Sequence, residues 1–139
     1  MVGGFVFDVA GGSISWLSKK QSTVTTSSVE AEYIATENTT KKAVWLHTLL
    51  QELDYLQTMA IVIHADNQGC IALANNPVSY FCAKHIDIWH HFICNHVKQG
   101  EAELHYVPTK DMLADIFTKA LPCEAFEKFH AQLGVLNCF

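Results

Sequence analysis

The chain has 139 residues, half of them apolar, and a formal net charge of −5. This length suits one domain, and the composition is typical of a globular protein rather than a disordered one. No apolar run is long enough to predict a membrane span, no signal peptide is expected, and the acidic balance disfavours unspecific binding to nucleic-acid phosphates. Five irregularly spaced cysteines favour reduced thiols in an intracellular protein, cytoplasmic or nuclear, over a disulfide framework.

The first twenty residues predict a β-hairpin. Residues 4–9 and 13–17 have the alternating pattern of strands, and Gly11-Gly12 between them is typical of a tight turn. A polar link over residues 19–22 is expected to follow the hairpin.

The next segment predicts a long helix. Ser27 is a good N-cap, and Glu30 is placed as its capping-box partner. The helix is expected to end near Leu53, because the apolar side chains up to that point recur at helical spacing: Trp45, Leu46, Leu49, Leu50 and Leu53.

A short buried strand followed by a helix comes next. Residues 60–65 are rich in β-branched side chains, and residues 70–74 favour a helix. Asp66 lies between them, at the carboxyl end of the strand, where open α/β sheets bind their ligands. Asp66 is therefore the clearest candidate site residue.

The second half of the chain predicts three helices and one strand. Residues 84–98 form an amphipathic pattern, residues 101–107 alternate like a strand, and residues 111–120 read as helical. Pro122 opens a last helix with one apolar face, formed by Phe126, Phe129, Leu133 and Leu136. The order ββαβααβαα indicates an α/β fold, with a mixed sheet and helices on its faces.

Three acidic residues, Glu32, Asp66 and Asp115, are candidates for a metal site. Glu32 lies in the first turns of the long helix and Asp115 in a later one. Carboxylates within about 4 Å of each other repel by roughly 4 kcal/mol per pair at an effective dielectric of 20. Such a cluster needs a proton or a hard cation, and Mg²⁺ beside phosphate oxygens is the usual solution.

Six segments carry a family resemblance through essentially the whole chain: ISWLSKKQSTV, SSVEAEYIA, ADNQGCIALANNP, KHIDI, GEAELHYVPT and LADIFTKAL. In this order they resemble the carboxyl-terminal ribonuclease H region of copia-type LTR retrotransposon Pol polyproteins. The resemblance implies a single ribonuclease H-like domain over residues 1–139, with a five-stranded mixed sheet. It implies hydrolysis of the RNA strand of RNA–DNA hybrids with two Mg²⁺ ions, or Mn²⁺, held by four carboxylates. Glu32, Asp66 and Asp115 match three of the four.

The fourth carboxylate is where the chain departs from the family. The resemblance implies a central first strand that carries the first catalytic aspartate and precedes the hairpin, and we expect this strand to be missing here. Asp8 is no substitute, because it lies near the hairpin turn, at the sheet end opposite Asp66. We therefore expect weak metal binding, no activity, and self-association through exposed strand edges. The implied partners are an RNA–DNA hybrid and the upstream reverse transcriptase region, and no membrane is expected.

The basic residues leave the function open. All nine are lysine, and arginine is absent from the chain. The family commonly has arginine where this chain has His47, Cys82, Trp89, Cys94, Cys123 and His130. This pattern is expected of a decaying element copy, since single transitions convert arginine codons in this way. A catalytically dead nucleic-acid-binding module and an inactive polyprotein fragment are therefore alternatives, and the fragment is favoured because no basic cluster survives.

Several lesser candidates accompany the carboxylates. Asn67, Gln68 and His85 are candidate substrate-binding residues, and Asp111 is interpreted as a first-turn helix residue. A zinc site with the spacing C-x₂-H…H-x₂-C is not expected, because both cysteines replace family arginines; its members would be Cys82, His85, His91 and Cys94. The core is expected to contain the aromatic residues Trp16, Trp45, Phe126 and Phe129.

Overall fold

The computed structural model describes residues 2–22, 28–55, 59–75 and 84–135, and for residues 29, 73 and 84–90 it describes the backbone alone. These ranges contain both strands and helices, which confirms the predicted α/β class. The described strands form two two-stranded sheets, one antiparallel and one parallel, where the sequence predicted one mixed sheet. They divide into two compact units: a terminal unit, residues 1–24 with 108–139, and a central unit, residues 25–107. Within the described ranges, no helix combines the length and apolar character that a membrane span needs.

The terminal unit contains the predicted hairpin. Strands β1 (Val2–Val9) and β2 (Gly12–Lys20) pair in antiparallel register. The connecting loop is Ala10-Gly11, and both residues have positive φ, 52° and 82°, as a type I′ turn requires. Gly12 therefore pairs with Val9 and does not lie in the turn. The expected polar link starts later than predicted, because β2 continues through Lys20.

Two 3₁₀ turns stand where the sequence predicted a helix over residues 111–120. They span Thr109–Asp111 and Leu113–Phe117, and Met112 between them has an extended backbone with ψ of 101°. The extended residue interrupts the helical hydrogen bonds, so the prediction of one continuous helix is wrong. Neither turn has a side-chain cap, and short 3₁₀ turns of this kind are common as connectors.

The second 3₁₀ turn packs on the hairpin at Gly4. The Ser18 hydroxyl donates a hydrogen bond to the Phe117 carbonyl oxygen at 2.6 Å. A Cβ atom added at Gly4 would lie 2.8 Å from both the Leu17 carbonyl oxygen and the Thr118 side chain. Glycine at this position therefore permits the close approach of the two segments.

The last helix, α4 (Cys123–Gln132), begins directly after Pro122. Phe129 is buried, as predicted, with 2% of its surface exposed. Phe126 and Trp16 are 48% and 61% exposed, so their prediction as core residues is wrong. The described part of this unit offers one hairpin, two short turns and one ten-residue helix, which leave little area to cover further rings. Leu136 lies outside the described residues.

The central unit begins with the long helix α1 (Ser28–Glu52), whose predicted end near Leu53 is confirmed. The predicted cap Ser27 lies outside the described residues. Leu46 is buried, but Trp45 is 54% exposed and stacks under the Lys42 ammonium, 3.9 Å from the ring centre. The core prediction for Trp45 is therefore wrong, because this side of α1 faces solvent.

Three threonines of α1 form hydrogen bonds between their hydroxyl groups and the backbone of the same helix. The hydroxyls of Thr36, Thr39 and Thr40 donate to backbone carbonyls four residues earlier, at 2.8, 2.7 and 2.8 Å. This bond allows a polar side chain to enter an apolar core without losing a hydrogen bond. Thr36 and Thr40 are both buried, so the helix presents hydroxyl-bearing positions to the core.

A parallel strand pair forms the sheet of the central unit. Strand β3 (Ile61–Ala65) runs beside β4 (Ala102–Tyr106), with Ile63 opposite Leu104. Parallel strands need a crossover connection, and here it contains the helices α2 (Gln68–Asn75) and α3 (Lys84–Lys98). The predicted strands and the helix over residues 84–98 are confirmed.

The junction from α3 to β4 is closed by a Schellman motif at Gly100. Gly100 has φ of 73°, its N–H bonds the Val97 carbonyl, and the Glu101 N–H reaches back to the His96 carbonyl. The core of the unit lies among α1, α2, α3 and the strand pair, and its fully buried side chains include Tyr33, Thr40, Cys70 and Ile93.

Candidate functional site

Asp66 lies between the end of β3 and the start of α2. Strand β3 ends at Ala65, α2 begins at Gln68, and Asp66 is half-buried between them. The Ala65 carbonyl accepts a hydrogen bond from the Val107 N–H, so β4 ends at the same sheet edge. The predicted position of Asp66, at the carboxyl end of a strand, is confirmed.

Asn67 fixes the loop that carries Asp66. Its side-chain oxygen accepts a hydrogen bond from the Cys70 N–H at 3.1 Å, and its carbonyl accepts one from the Ile71 N–H at 3.2 Å. These are the contacts of a helix N-cap. Asn67, a predicted substrate-binding residue, therefore has a structural role. Gln68 is exposed at the start of α2, and the side chain of His85, near the start of α3, lies outside the described set.

Glu32 and Asp66 are connected through Thr36 and Cys70. The Thr36 hydroxyl donates to the Glu32 carbonyl one helical turn earlier and lies 3.4 Å from Cys70 Sγ. Cys70 is fully buried in the first turn of α2, four residues after Asp66. The contact between Thr36 and Cys70 therefore joins the start of α1 to the segment that carries Asp66.

The pKa of Cys70 reflects both carboxylates. Burial raises this pKa from its ordinary value of 9.0 to about 11, the hydrogen bond with Thr36 opposes the rise, and the negative charges of Glu32 and Asp66 add to it. A carboxylate disfavours a thiolate only over a short distance in a partly buried site. Glu32 and Asp66 therefore both lie close enough to Cys70 to disfavour its thiolate, and their predicted role in one cation site stays a prediction.

Asp115 lies in the second 3₁₀ turn of the terminal unit. It is 7% exposed, and its carboxylate accepts a hydrogen bond from the Lys119 ammonium at 3.3 Å. The lysine offsets the charge of a carboxylate that would otherwise be costly to bury. The role of Asp115 beside Glu32 and Asp66 stays a prediction.

The remaining candidate residues have local partners. Cys94 is buried, and its thiol donates to the Ala74 carbonyl at 3.1 Å, while Cys82 lies outside the described residues. Asp111 lies in the first 3₁₀ turn, where the hydrogen bond from Lys128, at 2.7 Å, lowers the pKa of the carboxyl group. Asp8 accepts a hydrogen bond from the Ser13 hydroxyl near the hairpin turn. In the positions described, no three His, Cys, Asp or Glu side chains are already arranged around a common metal position.

Sequence reasoning missed the residues that organise this region. Thr36 and Lys119 each stand four residues after a candidate carboxylate, Glu32 and Asp115, and helical spacing alone signals such neighbours. Asn67 could have been recognised as a cap, because an asparagine just before a helix after a strand is a standard start signal.

The amino-acid sequence is similar to those of retrovirus-related Pol polyproteins from plant transposons. The chain is 42% identical over 132 residues to the retrovirus-related Pol polyprotein from transposon RE1 of Arabidopsis thaliana, which is 95% of the chain and 9% of that polyprotein. It is 41% identical over 134 residues to the polyprotein from transposon RE2 of the same plant, covering 96% of the chain and 9% of the relative. Both of these relatives are retrovirus-related Pol polyproteins from transposons.

A third relative is again a Pol polyprotein, and two comparisons found no match. The Pol polyprotein from transposon TNT 1-94 of Nicotiana tabacum is 39% identical over 132 residues, 95% of the chain and 10% of that polyprotein. No protein-family model matches the chain, and no solved structure matches it. The chain thus spans about a tenth of the length of the curated relatives, and the homology supports a retrotransposon-derived Pol fragment.

Proposed function

We propose that the chain is the ribonuclease H segment of a copia-type Pol polyprotein and has the ribonuclease H-like fold. Its ancestral reaction is hydrolysis of the RNA strand of RNA–DNA hybrids. The structural observation that carries this proposal is the position of Asp66 at the carboxyl end of β3, on a segment that the contact between Thr36 and Cys70 joins to the start of α1, where Glu32 lies. The similarity to Pol polyproteins and the six ordered motifs support it.

The residues present suit a hard divalent cation. Glu32 and Asp66 offer carboxylate oxygens, which Mg²⁺ and Mn²⁺ prefer as ligands, and both carboxylates disfavour the thiolate form of the buried Cys70. Asp115 is the third ligand in this proposal, with Lys119 balancing its charge when no cation is bound. Mg²⁺ bound there would supply Lewis-acid stabilisation of the negative charge that develops on the phosphodiester.

The chain's own side chains would hold the carboxylates in place for the cation, but the set of carboxylates in these 139 residues is incomplete. Asn67 holds the Asp66 loop through its cap, and the contact between Thr36 and Cys70 holds α1 against α2. Two-metal hydrolysis with four carboxylates needs one more ligand than Glu32, Asp66 and Asp115 provide. We therefore propose that the 139 residues by themselves do not cleave the hybrid and that activity needs a fourth carboxylate, which an upstream segment of a Pol polyprotein can supply. We also propose an intracellular location, cytoplasmic or nuclear.

A fusion tests the proposal directly. The residues that precede the matched segment in the RE1 polyprotein would be fused to this chain, and cleavage of a labelled RNA–DNA hybrid would be followed in Mg²⁺ and in Mn²⁺. We expect no cleavage by the 139 residues and clear cleavage by the fusion. Asp66→Asn in the fusion should abolish cleavage, whereas Asp54→Asn, an exposed site with φ of 62° that asparagine tolerates, should leave it intact.

The outcomes separate the alternatives. Cleavage by the fusion that survives Asp66→Asn or Glu32→Gln would reject the assigned ligands. A folded fusion that binds the hybrid without cleaving it would favour a catalytically dead binding module. A folded fusion that neither binds nor cleaves would favour an inactive polyprotein fragment.

A further inference from the structure

One side of the long helix α1 presents apolar side chains to solvent. Trp45 is 54% exposed, Leu49 is half-buried one turn later, and Leu53, a further turn on, is 60% exposed. The Leu53 N–H donates to the Leu49 carbonyl at 3.1 Å, so the helical spacing continues to Leu53. Residues four apart lie on one side of a helix, and the three side chains therefore form one stripe. An exposed stripe of this kind is a candidate protein–protein interface.

Charges of opposite sign lie at the two ends of the stripe. Lys42 lies one turn before Trp45, with its ammonium 3.9 Å from the ring centre. Glu52 lies one turn after Leu49, at the end of α1, and is exposed. The rise of a helix separates Lys42 from Glu52 by about 15 Å. The surface is therefore positive toward the start of α1 and negative toward its end.

A second copy of the chain fits this surface in the antiparallel direction. A two-fold axis at position 47 of the helix brings Lys42 of one copy opposite Glu52 of the other, because both residues lie five positions from the axis. The same axis brings Trp45 of one copy opposite Leu49 of the other, since each lies two positions from it. A parallel arrangement would place like charges opposite each other, so the charge pattern selects the antiparallel one.

We propose that the chain forms a two-fold symmetric dimer through this exposed side of α1, with the two helices antiparallel. In each half of the interface Trp45 packs on Leu49 of the other copy, and Lys42 pairs with Glu52 at the edge. One helix face per copy buries on the order of 1,000 Å² or less in total, which is the range of weak, transient complexes. The tryptophan rings supply most of the affinity and the charges set the direction. The dimer uses none of the candidate carboxylates and is independent of the proposed nuclease function.

Sedimentation of the whole chain over a concentration series tests the proposal. We expect a monomer–dimer equilibrium that weakens as salt is added, because the charge pairs lie at the exposed edge. Trp45→Ala should weaken the dimer roughly tenfold or more, since the interface loses a ring from both copies. Trp16→Ala is the matched control: it removes a tryptophan that is 61% exposed on the hairpin, and it should leave dimerisation unchanged.

Charge reversal tests the antiparallel pairing. Lys42→Glu and Glu52→Lys should each weaken the homodimer roughly tenfold, because like charges then face each other at both ends. An equimolar mixture of the two variants should restore the dimer, since each introduced charge then meets its opposite. Surface substitutions of this kind should leave the fold intact, which circular dichroism of each variant would verify.

Four results would overturn the proposal. The first two are a chain that stays monomeric at every concentration and a dimer that survives Trp45→Ala. The third is a mixture of the folded charge variants that stays monomeric, because the two copies would then not pair Lys42 with Glu52. The fourth is a dimer that Trp16→Ala weakens as much as Trp45→Ala does, since the contact would then involve the hairpin.

Discussion

The central and terminal units each contain a two-stranded sheet, and the central sheet buries one face, with Ile63 and Leu104 in the core. Parallel strands require a crossover connection, and here it contains the helices α2 and α3, which bury Cys70 and Ile93. The hairpin needs only a two-residue turn, and it leaves Ile14, Trp16 and Leu17 exposed. Among the described residues, Met112 and Phe129 are the buried apolar side chains of the terminal unit. In this chain the parallel pair, with its crossover helices, therefore buries more apolar side chains than the hairpin does.

The surroundings of the candidate carboxylates also differ between the two units. Asp115, in the terminal unit, is balanced by a lysine one turn away. Glu32 and Asp66, in the central unit, act together on a buried thiol.

The largest expected effect is on the stability of the terminal unit, because few of its described side chains are buried. Phe129→Ala should lower the free energy of unfolding by about 3–5 kcal/mol, because Phe129 is the large buried ring of that unit. Phe126→Ala, an exposed ring on the same helix, should change it by less than about 0.5 kcal/mol. Urea unfolding of both variants would measure the difference. Equal effects would show that α4 packs through a different face.

A pH series tests the buried thiol of the central unit. The folded-state pKa of Cys70, about 11, lies above the ordinary value of 9.0, so the unfolded chain loses this proton first. The stabilisation is present below pH 9 and is lost as the pH rises toward 11, by roughly 2–3 kcal/mol. Urea unfolding between pH 8 and 11 should show this loss for the unmodified chain.

Cys70→Ala is the control for that series. Burial also raises the pKa of Tyr33, so some loss of stability at high pH should remain in this variant. The difference between the two pH curves isolates the thiol. Parallel curves would mean that the pKa of Cys70 is not raised, and that neither burial nor the charges of Glu32 and Asp66 disfavour its thiolate.

A smaller effect is expected at Asp115. Lys119→Gln should strengthen Mg²⁺ binding, because the lysine competes with the cation for the same carboxylate. The gain should stay below about tenfold, since a pair with one exposed partner contributes about 1 kcal/mol or less. Lys110→Gln makes the same charge change at an exposed site of the same unit and should have less effect in calorimetric titration. A similar gain in both variants would exclude specific competition at Asp115.

The smallest effect concerns the surface pair Asp111–Lys128. Lys128→Gln should raise the pKa of Asp111 toward its usual range, because the lysine hydrogen bond is the main cause of the lowered value. NMR titration of the carboxyl group measures this change, with Lys110→Gln as the weaker neighbour. An unchanged pKa in Lys128→Gln would show that the pair does not persist in solution.

Local sequence patterns predict most of this fold because its elements carry local signals. The hairpin, the strand before Asp66 and the helix over residues 84–98 follow from alternation, turn residues and helical spacing. The prediction fails at residues 111–120, where an extended Met112 interrupts a helical pattern. It also fails for Trp16, Trp45 and Phe126, because burial depends on which layers cover a side chain, and an apolar pattern does not contain that information.

The site is predicted less completely than the fold. Asp66 is identified from its place after a strand, and Glu32 and Asp115 from the resemblance. The contact between Thr36 and Cys70 joins residues 34 positions apart, so no local pattern announces it.

Paramagnetic relaxation by Mn²⁺ tests the central claim most directly. Substoichiometric Mn²⁺ would be added to the isotope-labelled chain, and the broadening of backbone resonances would be followed along the sequence. A shared site predicts that resonances around Glu32 and around Asp66 to Cys70 broaden at the same Mn²⁺ concentration, and that Asp66→Asn reduces both effects together. Broadening around only one of the two carboxylates, or broadening around Glu32 that is unaffected by Asp66→Asn, would contradict the account.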